Sequence, residues 1–413
     1  MKNNNIIALA LLWSTALCAT SPLDFLRPYD VNLKPSHWDE QKLQFSSMAL
    51  YGVTTHAYNG NAENVSPLRY LHAKQDAIGM LKGFIQGTTQ NAVLESLLGP
   101  NEDGILGQFT VTGDFRITHS FLWGARYNFE NNFWVGVFLP AYNARLKNVA
   151  WTNLTQNITP EDALVRTNIT DSFHENVAAL GQGLNLKDWE KTGLGDLSVI
   201  GGWSGKFIQY KPWLKRVDTT IKAGFTFPTG EKKDEDKIMS VAFGNDGTVG
   251  IVVGAGLDMN LKHWCDAGVE VEFMHTFNNT RERRIKTHSQ QTELLLLKKT
   301  AVNVDHGFMQ KFNLYVEPQI FKGFSVRLAY QHIKQGGSTL YVVSNDYSST
   351  TANTAESIKE WTTHNVILQA KYDRATEENN KYKPQLNVYY NRPFNGRRSV
   401  QTGSLGCGIT FNF

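Results

Sequence analysis

The chain has 413 residues, a formal net charge of +3 and three cysteines. So small a net charge gives no broad basic face for nucleic acid, and so few cysteines cannot staple a secreted scaffold. Beyond the N-terminal region no segment approaches about 18 consecutive apolar residues, which excludes helical membrane spans and leaves several soluble domains or one large barrel.

Met1 and Lys2 open the chain with a positive charge, and a mostly apolar run from Ile6 to Leu17 leads into small residues at Ala16 and Ala19. That layout predicts a cleavable secretory signal over 1–19. Residues 20–41 carry Pro22, Pro28 and Pro35 without alternation and read as a periplasmic lead-in or partial plug. A barrel is expected over 42–413, with a first strand at 43–58 and a long first loop at 59–107. Within that loop Leu68, Leu71, Ile78 and Leu81 fall at nearly helical spacing, which predicts a helix over 67–84, either in the loop or folded into the pore. The stretch 89–106 reads as irregular.

From Phe109 onward the period is two. Phe115, Ile117, Phe121, Trp123 and Tyr127 fall on one face, and Arg116, Thr118, Ser120 and Arg126 on the other. After a turn at 130–132, Phe133, Val135, Val137 and Leu139 restart the alternation. It recurs at 197–206, 217–227, 249–259, 267–273, 312–320, 324–333, 361–372, 384–390 and 403–413. The last strand alternates Leu405, Cys407, Ile409 and Phe411 with Gly406, Gly408, Thr410 and Asn412. Apolar residues outward and small or polar ones inward are the pattern of a transmembrane barrel strand. Phe115, Phe121, Trp123, Ile221, Phe225 and Val253 are accordingly expected to face lipid. Short connections follow Asn128, Phe207, Leu261, Phe321 and Tyr372, and long polar ones occupy 143–192, 229–247, 278–306 and 335–359. The fold class is all-β, a transmembrane antiparallel up-and-down β-barrel. About twelve strands are expected, and a hairpin more or less would give about ten or fourteen.

Gly193-Leu194-Gly195-Asp196-Leu197 at a strand start and Phe227-Pro228-Thr229-Gly230 at a strand end resemble the phenol meta-pathway degradation transporters. These are outer-membrane proteins related to the long-chain fatty-acid channels, and the resemblance spans 193–413. It implies passage of small molecules, apolar or aromatic ones among them.

The predicted lumen face collects Arg116, Arg126, Asp218, Lys222, Glu270, Glu272, Glu317 and Arg327, with both signs of charge. Glu270 and Glu272 share a face about 6.5–7 Å apart, a spacing compatible with acid/base chemistry but equally with a simple polar lining. His119 and Ser120 are adjacent on a strand and point to opposite faces, so they cannot form a nucleophile–base pair. The charged run 231–237 reads as a solvated loop tip that could meet lipopolysaccharide or divalent cations. No phosphate-binding glycine loop and no paired-cysteine metal motif occurs, so no cofactor, no metal and no enzymatic activity are expected. The expected function is a porin-like channel of the Gram-negative outer membrane for passive uptake of small molecules. An outer-membrane enzyme and a surface-interaction barrel with a blocked lumen are the alternatives. Expected partners are outer-membrane lipid and lipopolysaccharide, the barrel assembly machinery and a small-molecule substrate, with no nucleic acid.

Overall fold

The structure, a computed structural model, describes residues 42–97, 106–155, 160–262, 264–373 and 383–413. The expectations for 1–19 and 20–41 lie outside the described residues. Twelve long strands form the wall: β1 (Leu43–Tyr58), β2 (Gln108–Asn128), β3 (Phe133–Asn153), β4 (Leu197–Ile208), β5 (Leu214–Phe227), β6 (Gly250–Leu261), β7 (Cys265–Thr276), β8 (Met309–Phe321), β9 (Phe324–Gln335), β10 (Trp361–Asp373), β11 (Lys383–Arg397) and β12 (Ser399–Asn412). Each pairs antiparallel with its neighbours in sequence, and β1 pairs with both β2 and β12. The sheet is therefore a closed barrel, which leaves no strand edge unpaired in hydrocarbon.

The outer surface is apolar. Phe121, Trp123, Phe133, Val137, Ile221, Phe225, Val253, Leu314, Leu328, Leu368 and Leu405 are all exposed. Exposed apolar residues around a closed antiparallel barrel are the lipid contact band of an outer-membrane barrel. Ile221, 59 % exposed, lies at the middle of β5, whereas Phe225 lies near its loop end. Ile221→Arg should cost about 2–4 kcal/mol, and more than Phe225→Arg, because the penalty peaks at the bilayer midplane. Urea unfolding in lipid vesicles reads the difference, and equal stabilities would show that the depth assignment of β5 is wrong.

Phe115 does not face lipid. It is 1 % exposed, and Ile117 is 6 % exposed. A bulge between Ile117 and His119 inserts one extra residue against β3, so Ile117 and Thr118 are both buried and the alternation changes face there. Below the bulge Phe121 and Trp123 point outward; above it Phe115 and Ile117 point inward. Gly52 sits against the bulge, where an added Cβ would lie 1.9 Å from the Ile117 carbonyl oxygen.

The expected boundaries change above the membrane. β3 continues to Asn153, because Tyr142, Ala144 and Leu146 still have an apolar core to bury against. β11 and β12 are longer than expected and join tightly at Arg398, which adopts a positive φ of 49°. The helix expected over 67–84 is instead two 3-10 turns, Pro67–Arg69 and Gly79–Leu81, separated by a two-residue bridge to β2. Gly83 at φ +79 and the absence of i→i+4 continuity stop the pattern from propagating. A helix appears where none was expected, at Thr89–Ser96, with the Thr88 hydroxyl accepting from the Asn91 N–H as its cap.

The loop side of the barrel is not a set of separate tips. Leu68, Met80 and Leu81 from the first loop share one apolar core with Phe109, Phe115, Leu146, Phe173, Val177, Leu186, Phe243, Leu295 and Leu297. A second unit, the antiparallel sheet of Asn279–Ile285, Lys298–Asp305 and Thr339–Val342, has its own core of Ile285, Val302, Val304, Leu340 and Ile358. Together these segments cap the barrel.

Candidate functional site: the barrel interior and its cap

One register row crosses the interior of four strands: Lys222 on β5, Gly254 on β6, Glu272 on β7 and Lys311 on β8. Gly254 is what lets this row close. A Cβ there would lie 2.8 Å from Lys222 Cε and 3.0 Å from the Val271 carbonyl oxygen, so glycine leaves the lane by which the lysine crosses β6 in this conformation. Lys222 Nζ then reaches Glu270 at 2.6 Å and Glu272 at 2.7 Å, and Lys311 lies 3.3 Å from Glu272. Asn313 donates to Glu270 at 3.0 Å. Lys222, Glu272 and Lys311 are buried and Glu270 is partly so, and two cations face two carboxylates. The pair Glu270 and Glu272 is thus held by lysines, as part of one ion-paired lining.

A second charged group lies toward the short-turn end. Glu317 accepts from Arg327 at 2.6 Å and from Ser325 at 2.7 Å, and Lys371 lies 2.8 Å away. The Arg327 guanidinium stacks 4.1 Å over the Tyr315 ring, whose hydroxyl donates to Asp258. Arg126 lies 4.0 Å over the Trp134 ring and donates to Asn128, and Asp218 pairs with Arg216 at 2.9 Å. Arg116 is placed differently from the other predicted residues. It alternates with the buried Phe115 and Ile117 above the bulge, so it lies on the outer face, directly opposite Arg145 of β3. Sequence reasoning missed Lys311, Asn313, Asp258 and Lys371, although Asn313, Asp258 and Lys371 are flanked on both sides by apolar residues and Lys311 by Phe312.

Arg126, Lys222, Glu270, Asp258, Tyr315 and Arg327 line a cavity of about 110 Å³ inside the barrel, together with Met48, Leu122, Phe138 and Ile367. A second cavity of about 190 Å³ lies between the barrel and the cap. Between them runs an apolar belt of Trp134, Ile200, Val252, Met274, Met309, Ile333 and Trp361, with Phe138 packed against it. Trp134 and Phe138 border the first cavity, and Met274 and Met309 border the second. A water needs about 10–15 Å³ of such space, so each chamber has room for roughly ten waters or for a small molecule.

Ion pairs hold the cap. The run 231–237 is not a free tip: Glu235 pairs with Arg281 at 3.3 Å, and Asp236 pairs with Arg284 at 2.7 Å and Lys299 at 3.0 Å. Asp246 binds Arg281 and lies 2.8 Å from Arg283. Glu293, its side chain 3 % exposed, joins three loops: it lies 3.4 Å from His72 and accepts from the backbone N–H groups of Glu356 and Ser357.

Burial alone would raise the pKa of Glu293, but hydrogen bonds from His72 and Ser357 outweigh it and hold the carboxyl below its ordinary range. Asp246 is likewise lowered: burial opposes ionisation, and Arg283 and Arg281 overcome it. A depressed carboxylate contributes stability that is complete above its unfolded pKa and is lost as pH falls through its lower folded value. The cap should therefore loosen below about pH 4. Amide protection over 286–297, taken relative to the unstructured rate at each pH, should fall in acid in the wild type, and Glu293→Gln should flatten that dependence. An unchanged acid response in the variant would remove Glu293 from the account.

The two segments that carry the family resemblance meet in space. Thr229 Oγ1 accepts from the Leu197 N–H at 2.9 Å and donates to the Gly195 carbonyl at 3.1 Å. The Asp196 carboxylate, buried, accepts from the Gly230 N–H at 2.9 Å and the Asn245 N–H at 2.6 Å.

No protein-family model matches the chain, and no curated protein matches it. Among solved structures, an outer-membrane channel from Pseudomonas putida F1 is similar with TM-score 0.46 and 10 % identity, over 92 % of this chain and 98 % of that one. A FadL homologue from Pseudomonas aeruginosa gives TM-score 0.32 and 9 % identity, over 90 % and 89 %. The Ralstonia pickettii toluene transporter TbuX gives TM-score 0.31 and 7 % identity, over 94 % and 92 %.

Proposed function

We propose that the chain is an outer-membrane channel for passive uptake of small molecules, apolar or aromatic ones foremost, with no catalytic step. The observation that carries this reading is the pair of interior chambers bordered by one apolar belt, in which Trp134 and Phe138 face one chamber and Met274 and Met309 the other. An apolar constriction between partly polar chambers disfavours hydrated ions and admits solutes that shed little water. Arg126, Lys222, Glu270 and Arg327 serve as polar lining, and Asp218, Glu272 and Glu317 support it from within the wall. Outer-leaflet lipopolysaccharide, the assembly machinery, a signal at 1–19 and a lead-in at 20–41 belong to the same proposal. The rival is a surface-interaction barrel with a blocked lumen, favoured by the single apolar core that the loops form over the barrel.

Flux separates the two. In liposomes the full-length protein should admit benzyl alcohol faster than protein-free vesicles do. Deleting 67–97, whose Leu68, Met80 and Leu81 help build the cap, should raise conductance in a planar bilayer with heat-modifiable migration retained. A folded deletion variant with unchanged conductance and no solute flux would favour the blocked barrel.

A further inference from the structure

The cap cavity contains a guanidinium with an unpartnered Nε. Arg283 is 8 % exposed and lines the cavity of about 190 Å³. Its Nε makes no hydrogen bond, and its Nη2 approaches Asp246 at 2.8 Å without hydrogen-bond alignment. Asp246 is already engaged by Arg281 and by the Lys233 N–H at 2.9 Å, so Arg283 is a second guanidinium on a carboxylate with other partners. His306 lines the same cavity, and its Nε2 also lacks a partner. Burial, and then the charge of Arg283, push the His306 pKa down to about 4, so this ring is neutral at neutral pH.

Tyr70, Leu294, Leu296, Met274 and Met309 give the same cavity apolar lining, beside the ion-paired carboxylates of Glu235, Asp246 and Glu293. Nε and Nη2 lie along one edge of a guanidinium, the edge that takes a carboxylate through two parallel hydrogen bonds. The unpartnered Nε, and the Nη2 next to it beside Asp246, are buried donors in a partly apolar cavity, which matches a solute with a charged head on a compact apolar body. A wholly apolar solute would leave those donors unsatisfied, which is costly in a buried site.

We propose that the cap cavity is a binding site for small organic monocarboxylates with an aryl or short alkyl body, with the Arg283 Nε and Nη2 edge as the carboxylate fork and His306 Nε2 beside it. This deepens the channel reading, for it names a solute class that the channel selects at its entrance.

The test uses the full-length protein in detergent, with benzoate as probe and benzyl alcohol as its uncharged counterpart, followed by calorimetry. The wild type should bind benzoate more tightly than benzyl alcohol. Arg283→Gln should weaken benzoate by about tenfold or more and leave benzyl alcohol unchanged. Arg283→Lys keeps the charge without the fork and should also weaken benzoate; it serves as the deciding variant if Arg283→Gln fails to give heat-modifiable barrel. Equal affinity of the wild type for the two probes, or undiminished benzoate binding by the folded variants, overturns the inference. The channel reading falls separately, if benzyl alcohol flux into liposomes is no faster than through bare lipid.

Discussion

Removing residues 411–413 should leave the protein outside the membrane, although only three residues are lost. Phe411 and Asn412 register with Phe45 and Gln44 of β1, and Phe413 exchanges backbone hydrogen bonds with Leu43 at 2.8 and 3.2 Å. The same strand registers with β11 on its other side. β12 is therefore the seam, and without its end both β1 and β11 present unpaired backbone groups at the bilayer edge. Phe413 also packs edge-on against Phe45, with ring centroids 6.0 Å apart, at the level where interfacial aromatics anchor a barrel. Membrane fractionation with a heat-modifiability gel should show the truncated protein in the periplasmic fraction. Normal insertion would contradict the seam and the assembly route together.

Glu272→Leu should be the most damaging single change in the barrel interior. It removes the carboxylate shared by Lys222 and Lys311, whose side chains are 2 % and 3 % exposed. Breaking a buried ion pair from one side costs about 3–5 kcal/mol, because a charge is left without compensation in a poorly solvated place. The double change Glu272→Leu with Lys311→Met removes one charge of each sign and keeps the Lys222–Glu270 pair at 2.6 Å. It should recover most of the loss. Urea unfolding in vesicles reads both variants; a wild-type midpoint for the single change, or a double variant no better than the single, would show that the network contributes little.

The wall of the barrel was legible in the sequence wherever alternation is unbroken. Ile221, Phe225, Val253 and Leu405 face outward and Lys222, Glu270 and Thr410 inward because a strand repeats every two residues and lipid selects one face. The reading failed where one extra residue changes the phase. Nothing in Phe115-Arg116-Ile117-Thr118-His119 marks a bulge, so Phe115 and Arg116 were assigned to each other's faces. The cap was illegible for another reason: its core joins Leu68, Phe173, Phe243 and Leu295 across more than half the chain, with no local period to announce it. The run 231–237 reads as a solvated tip because the partners of Glu235 and Asp236, Arg281 and Arg284, come from a different loop.

The Asp196 carboxylate has a consequence for how this chain tolerates change. One of its oxygens holds the Gly230 N–H and the other the Asn245 N–H, so a single side chain grips both stems of the loop that runs between them. An added Cβ at Gly244 would fall 2.3 Å from that carboxylate, and one at Gly230 2.8 Å, so neither stem accepts a larger residue without loosening the grip. The intervening residues carry a different restriction: Glu235 and Asp236 belong to the ion pairs of the cap, and Ile238 and Phe243 to its apolar core. The loop is thus fastened twice, by a socket at its stems and by the cap along its length, so a graft that fits the socket alone leaves the wall in place and opens the roof above it.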